Sequence, residues 1–316
     1  METAFAHRRP FADIHDRLPY LAMPDRLPLK WPNGARVAVW VVPNIEHYEW
    51  LPPPGGVDPY PRVSHPDVRK YAHHDFGNRV GIWRLLEVLD RHGIRCTASL
   101  NVAVLDHYPE IGEAMVERDW DLMSHGIYNT RYLTGKTEEE ELEWLGRCNQ
   151  ILERRLGRRF DGMLGPNITG NSWTPDLMAE IGMRYHADWV HDERPSPLLT
   201  RSGKPLVALP YSYELNDAPL LMRGPVEGPT YAEYCIGQFE QLDAEADEDA
   251  RLMCLPLHPF VIGQPHRIGH LDAVLSHLSE CGAWFATAGD IVTHYLTNYY
   301  EKDLVASDGA LRSPRA

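Results

Sequence analysis

Val37-Ala-Val-Trp-Val-Val42 is an uninterrupted apolar run that passes through Pro43-Asn44-Ile45 and delivers Glu46 and His47. A Val-rich run of this length, bounded by turn residues, reads as a strand buried on both faces. The event recurs along the chain. Trp120-Asp-Leu-Met123 runs into Ser124-His125-Gly126, Met163-Leu164 into Gly165-Pro166-Asn167, and Leu252-Met-Cys-Leu-Pro-Leu257 into His258-Pro259. The segments between these points read as helices. In a sheet of parallel strands joined by helices, the C-terminal strand ends share one face, where α/β enzymes keep their chemistry.

Working outward, a helix is expected from a cap at Asn78 to about His92, closed by Gly93, followed by a strand over Ile94–Leu100. A helix over Tyr108–Arg118 precedes the strand Trp120–Met123. Thr137-Glu-Glu-Glu140 matches a capping box and opens a helix to Leu156. Further strands are expected at Phe160–Leu164, Tyr185–Val190, Pro205–Leu209, Arg251–Leu257 and Ala283–Ala286. Helices are expected at Thr174–Ile181, Tyr231–Ala244, Ile268–Cys281 and Asp290–Tyr300. About eight alternations without a sequence repeat or a Gly/Ser linker predict one parallel α/β barrel. A doubly wound open sheet is the alternative, but no Gly-x-Gly-x-x-Gly follows the first strand.

At 316 residues and 43% apolar, the chain can bury one large core. Its formal charge of −14 and lack of a Lys/Arg cluster argue against a nucleic-acid footprint. The five cysteines are scattered, with no Cys-x-x-Cys, which implies neither a disulfide framework nor a thiolate zinc site. No signal peptide and no membrane span is legible. The expectation is a cytoplasmic enzyme with a small-molecule substrate, forming a homo-oligomer, with no nucleic-acid or membrane partner. Residues 1–35 read as an N-terminal arm, 36–302 as the barrel and 303–316 as a disordered tail. The Pro- and Gly-rich stretch 49–77 reads as a functional loop, as does 191–204.

The candidate site residues follow from the strand ends. Glu46 suits a general base, and His47 beside it a metal or a substrate oxygen; an exposed loop pair is an equal reading. His125 has Asn129 four residues on, weaker metal spacing than His-x-x-x-His because a neutral amide binds zinc poorly. His258, opposite Glu46 across a barrel mouth, could protonate a leaving nitrogen. Asp188 could orient one of these histidines, and Arg79 could hold a substrate anion. For each of the last two, an ordinary exposed polar side chain is the favoured reading.

These residues resemble the polysaccharide deacetylase superfamily (NodB-like, carbohydrate esterase family 4). They are most similar to the subgroup with cofactor-independent allantoinases and cyclic imide hydrolases, over about residues 35–300. Asn44-Ile45-Glu46-His47 aligns with the first motif, Thr-Phe-Asp-Asp, and His125 to Asn129 with His-Ser/Thr-x-x-x-His. Leu255-Pro256-Leu257-His258 aligns with Leu-x-x-His, and Gly77-Asn-Arg-Val-Gly81 and His258-Pro-Phe-Val-Ile-Gly-Gln-Pro265 also look like this subgroup. The resemblance implies a single-domain distorted (β/α)7 barrel. It also locates the departures: Glu46 stands at the base position, His47 at the metal-binding Asp and Asn129 at the second metal His. Gly165-Pro166 replaces the expected Arg. A family-style Asp-His-His zinc site therefore cannot form, which leaves a site without cofactor or an unusual Zn2+ site using His47 and His125.

The expected activity is hydrolysis of a non-peptide C–N bond in a small amide, cyclic imide or ureide. Glu46 would be general base and His258 general acid, with His125 and Asn129 or His47 at the carbonyl oxygen. The alternatives are a metal-dependent N-deacetylase of an N-acetylated sugar or small amide, and a barrel that binds without catalysis.

Overall fold

A computed structural model describes residues 17–52 and 66–312, with side chains through Ser307. The parts of the expected arm, loop and tail at 1–16, 53–65 and 313–316 lie outside the described residues. In chain order, β1 (Val37–Ile45) leads to α1 (Val68–Phe76), a π-helical turn (Gly77–Gly81) and α2 (Ile82–Arg91). Then come β2 (Thr97–Leu100), α3 (Val104–His107), α4 (Pro109–Glu117) and β3 (Asp121–Ser124). Next are α5 (Glu138–Leu156), β4 (Gly162–Met163), α6 (Thr174–Glu180), β5 (Tyr185–His186), β6 (Ser196–Pro197) and β7 (Val207–Ala208). The chain ends with α7 (Gly228–Glu245), β8 (Arg251–Leu257), α8 (Pro259–Ile262), α9 (Ile268–Glu280), β9 (Trp284–Phe285), α10 (Ala288–Asn298) and α11 (Tyr300–Arg312).

The strands form one curled sheet in the order β6-β7-β5-β4-β3-β2-β1-β8, with β9 pairing the start of β1. Every pairing is parallel except β6–β7, where Ser196 faces Ala208 and Pro197 faces Val207. All of β1 is buried, and its alternation sorts the core into two layers. Val37, Val39 and Val41 pack with the helices, through Leu85, Leu89, Val274 and Leu278. Ala38, Trp40 and Val42 face the inside of the curl with Met123, Tyr185, Val207 and Cys254, which Tyr295 of α10 and Trp31 help to fill. This is a single-domain curled (β/α) barrel, with a seam between β8 and β6, which do not pair among the described residues.

Several expected elements are corrected. The 49–77 stretch ends in a helix, α1, whose first turn is capped by the Asp67 carboxylate accepting from the Lys70 N–H at 2.9 Å. Asn78 therefore does not open a helix; it lies in the π-helical turn joining α1 to α2. The 191–204 loop contains β6, and the expected strand at 205–209 shortens to β7. The tail after Lys302 is helical through Arg312, because buried Asp303 accepts from Tyr295 and Arg194 at 2.6 and 2.9 Å. The capping box on α5 forms as read, Thr137 and Glu140 satisfying each other's backbone N–H groups. No helix among the described residues is long and apolar enough to cross a membrane.

Candidate active site

β1 carries the chain to Ile45, where Glu46 and His47 leave the strand end beside β2. Asn101, fully buried just past β2, ties two strand ends together. Its Oδ1 accepts the His47 N–H at 2.9 Å, and its Nδ2 donates to the His125 carbonyl. The His125 N–H continues the ladder to Leu100 O at 2.9 Å. Gly126 follows with φ +78°, and a Cβ there would stand 2.3 Å from the Trp144 ring, so the turn that presents His125 requires glycine.

Three of the expected residues converge. His125 Nε2 lies 3.4 Å and His258 Nε2 3.5 Å from Glu46 Oε1. His125 Nδ1 donates to Leu164 O at 2.9 Å; since a carbonyl only accepts, this fixes which ring nitrogen faces the carboxylate. His258 is held from behind by Asp217, fully buried, which accepts from Nδ1 at 2.6 Å and from the His258 backbone N–H at 2.8 Å. Glu46 Oε2 accepts from Tyr48 OH at 3.0 Å, and the Glu46 carbonyl accepts from Asn78 Nδ2 at 2.8 Å.

Burial works against every charge here, and the partners overturn it. Burial alone would raise the Glu46 pKa, but the charges and hydrogen bonds of His258 and His125 hold it far below the usual carboxylate range. Burial would likewise push His258 down, yet Asp217 and Glu46 on opposite edges of the ring raise it to about 10. His258 is thus an imidazolium at neutral pH and Glu46 a carboxylate.

The remaining expected residues fall elsewhere or change partner. The His47 ring stacks on His107 at 4.2 Å, with Tyr71, Tyr108 and Tyr128 around it; burial and then the His107 charge lower its pKa to about 4. Asn129 is buried and donates through Nδ2 to Tyr48 OH at 2.6 Å, while its backbone N–H donates to His47 O at 3.0 Å. Arg79 is exposed and paired with Asp75, and none of its contacts reaches Glu46, His125 or His258. Asp188 does not orient a site histidine. It lies 3.3 Å from His186 Nε2 and accepts the N–H groups of Gly165 and Gly170 at 2.7 and 3.0 Å. Sequence reasoning missed Asp217, the residue that does orient one, and Tyr48.

The zinc site that the resemblance implies for metal-dependent members does not fit these residues. His47 is committed to its aromatic stack, Asn129 presents an amide that already serves Tyr48, and His125 faces Glu46. Among the described residues, no group of three or more His, Cys, Asp or Glu side chains has metal-holding geometry.

Residues 69–186 match the family model described as polysaccharide deacetylase. A Schizosaccharomyces pombe protein that bears the polysaccharide deacetylase name is 24% identical over 292 residues, spanning 83% of this chain and 90% of its own length. The fold is shared with a crystal structure of an allantoinase, at TM-score 0.75 and 23% identity over 85% of this chain and 93% of that one. A Pseudomonas aeruginosa PAO1 protein of the polysaccharide deacetylase name superposes equally, at TM-score 0.75 and 24% identity over 85% and 94% of the two chains. The matched segment of this NodB-like barrel contains His125 and Asn129 but neither Glu46 nor His258, so those two rest on geometry.

Proposed function

We propose that this chain hydrolyses a non-peptide C–N bond in a small amide, cyclic imide or ureide. The observation that carries the reading is the convergence of two imidazole Nε2 atoms on one oxygen of Glu46, with Asp217 behind His258. The deacetylase match and the allantoinase fold-neighbour support an amide-type scissile bond.

Glu46 takes a proton from water as the water oxygen attacks the carbonyl carbon. Charge grows on the carbonyl oxygen, and His125 holds it when its ring is doubly protonated, Nδ1–H on Leu164 O and Nε2–H turned to the substrate. Preorganised donors of this kind supply the largest single term in many such reactions. As the C–N bond breaks, His258 gives its Nε2 proton to the departing nitrogen, which leaves neutral. Asp217 keeps that proton on His258 until it is needed and holds the ring in place. A carboxylate with so depressed a pKa is a weak base in the free enzyme. Once the His258 hydrogen turns to the leaving nitrogen, Glu46 loses one of the two interactions that depress it and gains basicity. The mechanism uses no metal.

The test is hydrolysis of a panel of hydantoins, imides, allantoin and N-acyl compounds. Glu46→Gln and His258→Ala should each lower turnover by about 100-fold or more, with circular dichroism unchanged and with wild-type turnover surviving a chelator. Near-wild-type rates in both variants would overturn the assignment, and loss of wild-type turnover on chelation would overturn the metal-free mechanism.

A further inference from the structure

His125 and His258 flank the same carboxylate but are backed differently. Asp217 lies directly on His258 Nδ1, at 2.6 Å. His125 Nδ1 meets only a carbonyl, Leu164 O at 2.9 Å, and a neutral carbonyl supports charge on a ring less well than a carboxylate does. The peptide that owns this carbonyl is itself engaged at its other end. The Gly165 N–H donates to Asp188 Oδ1 at 2.7 Å, so carboxylate, peptide and imidazole form one continuous chain.

The Asp188 side chain is only 8% exposed, so its charge is little screened by solvent. Oδ2 accepts the Gly170 N–H at 3.0 Å and lies 3.3 Å from His186 Nε2. Trp189 donates to His186 Nδ1 at 3.2 Å, which leaves the hydrogen of a neutral ring on Nε2, toward Asp188. Burial would raise the Asp188 pKa, but His186 and the two glycine N–H groups hold it below the usual carboxylate range. A Cβ on Gly165 or Gly170 would stand 2.8 Å from Oδ2, so the carboxylate comes this close only because both are glycine. Drawing the Gly165 N–H toward a carboxylate shifts electron density along the conjugated C–N bond onto the Leu164 oxygen. Hydrogen bonds in such a chain strengthen one another.

Resting on the proposed C–N hydrolysis, in which His125 holds the charge growing on the carbonyl oxygen, we infer that Asp188 acts on His125 through the Leu164–Gly165 peptide. Its charge strengthens Leu164 O as the acceptor of the Nδ1–H and so favours the doubly protonated ring that the step requires. Asp188 touches neither imidazole of the site. Its influence is electrostatic and is carried by one peptide group.

The experiment follows the His125 Nδ1–H proton by NMR in ring-15N-labelled protein without substrate, beside kcat and KM on hydantoin and succinimide. Asp188→Asn keeps the shape of the side chain and removes its charge. The Nδ1–H resonance should move upfield. Turnover should fall about tenfold with KM within about twofold, because an interaction used only in the transition state is lost. Thr169→Val is the control for the turn. It removes the hydroxyl that donates to Pro166 O at 2.7 Å and accepts the Leu133 N–H, and it leaves the Asp188 contacts in place. An unmoved resonance in Asp188→Asn, or an equal movement in Thr169→Val, would overturn the inference. Should Asp188→Asn fail to fold, Asp188→Ser supplies the same comparison. The resonance needs no turnover, so the two readings separate. If Glu46→Gln kept wild-type turnover while the resonance followed Asp188, the base assignment would fail and the link to His125 would stand. Turnover lost in Glu46→Gln but unchanged in Asp188→Asn would overturn this inference alone.

Discussion

At the scale of the residue, the site is a carboxylate shared by two imidazoles, one of them tuned from behind. Asp217 is the larger of the two influences that lift His258, whose ordinary pKa is about 6.5, to about 10. In the proposed mechanism the protonated form is the general acid, so kcat/KM should hold up to about pH 10 and fall above it as His258 loses its proton. Asp217→Asn should draw that alkaline limb toward neutrality and cost about 100-fold at pH 7. An alkaline limb that stays put in a pH–rate profile of the variant would show that Asp217 has no such role. That Glu46, His125 and His258 lie together was legible because each follows an apolar strand, and parallel strand ends share one face. Asp217 was not: it precedes His258 by 41 residues, and only the folded loop brings its carboxylate to Nδ1. Tyr48 left a fainter signal, its spacing of two from Glu46, which extended backbone places on one side.

At the scale of the element, the positioning of His258 depends on how closely α8 meets the π-helical turn between α1 and α2. A Cβ on Gly81 would lie 2.0 Å from the Pro259 carbonyl oxygen, and one on Gly77 2.9 Å from the Phe260 nitrogen. Neither backbone can yield without moving the residue that follows His258. The same turn sends Asn78 to the Glu46 carbonyl, so one irregular turn braces both Glu46 and the segment that follows His258. π-helical turns recur at functional sites, where they re-aim side chains. Gly81→Ala should therefore destabilise the protein by about 1–3 kcal/mol, the usual cost of overpacking, and lower kcat as well. Urea denaturation and steady-state kinetics on the same preparation check this; an alanine variant with wild-type stability and kcat would refute the close-packing account. In sequence, Gly77-Asn-Arg-Val-Gly81 reads as a helix boundary, because glycines and a capping residue normally mark one. Tertiary contact with Pro259 and Phe260 overrides that local preference, which no window of the sequence contains.

At the scale of the whole molecule, alternation of apolar runs and helices was enough to read the curled sheet and the face that bears the site. It could not show how the seam is held. β6 is two residues long and runs against its neighbour, too short for any periodicity to reveal. Between the loop after β5, the loop after β7, α7 and β8 lies a cleft of about 730 Å³. Beside it, buried Arg194 reaches Leu27 O at 2.9 Å, Asp249 Oδ1 at 3.2 Å and Asp303 Oδ2 at 2.9 Å. One guanidinium thus joins the N-terminal approach, the connection into β8 and α11 of the C-terminus. Leaving Asp303 buried without its cation is the costly part, since an unpaired buried charge typically costs about 3–5 kcal/mol. Arg194→Met should lower unfolding free energy by about 3 kcal/mol and release α11 to proteolysis, while kcat on the folded fraction stays within about twofold because the side chain touches no group of the site. Denaturant titration and limited proteolysis, read beside turnover, separate the two effects. A variant that unfolds at the wild-type midpoint would show that the seam is held by packing of α10 and Trp31 inside the curl, with the buried charge cluster adding nothing net.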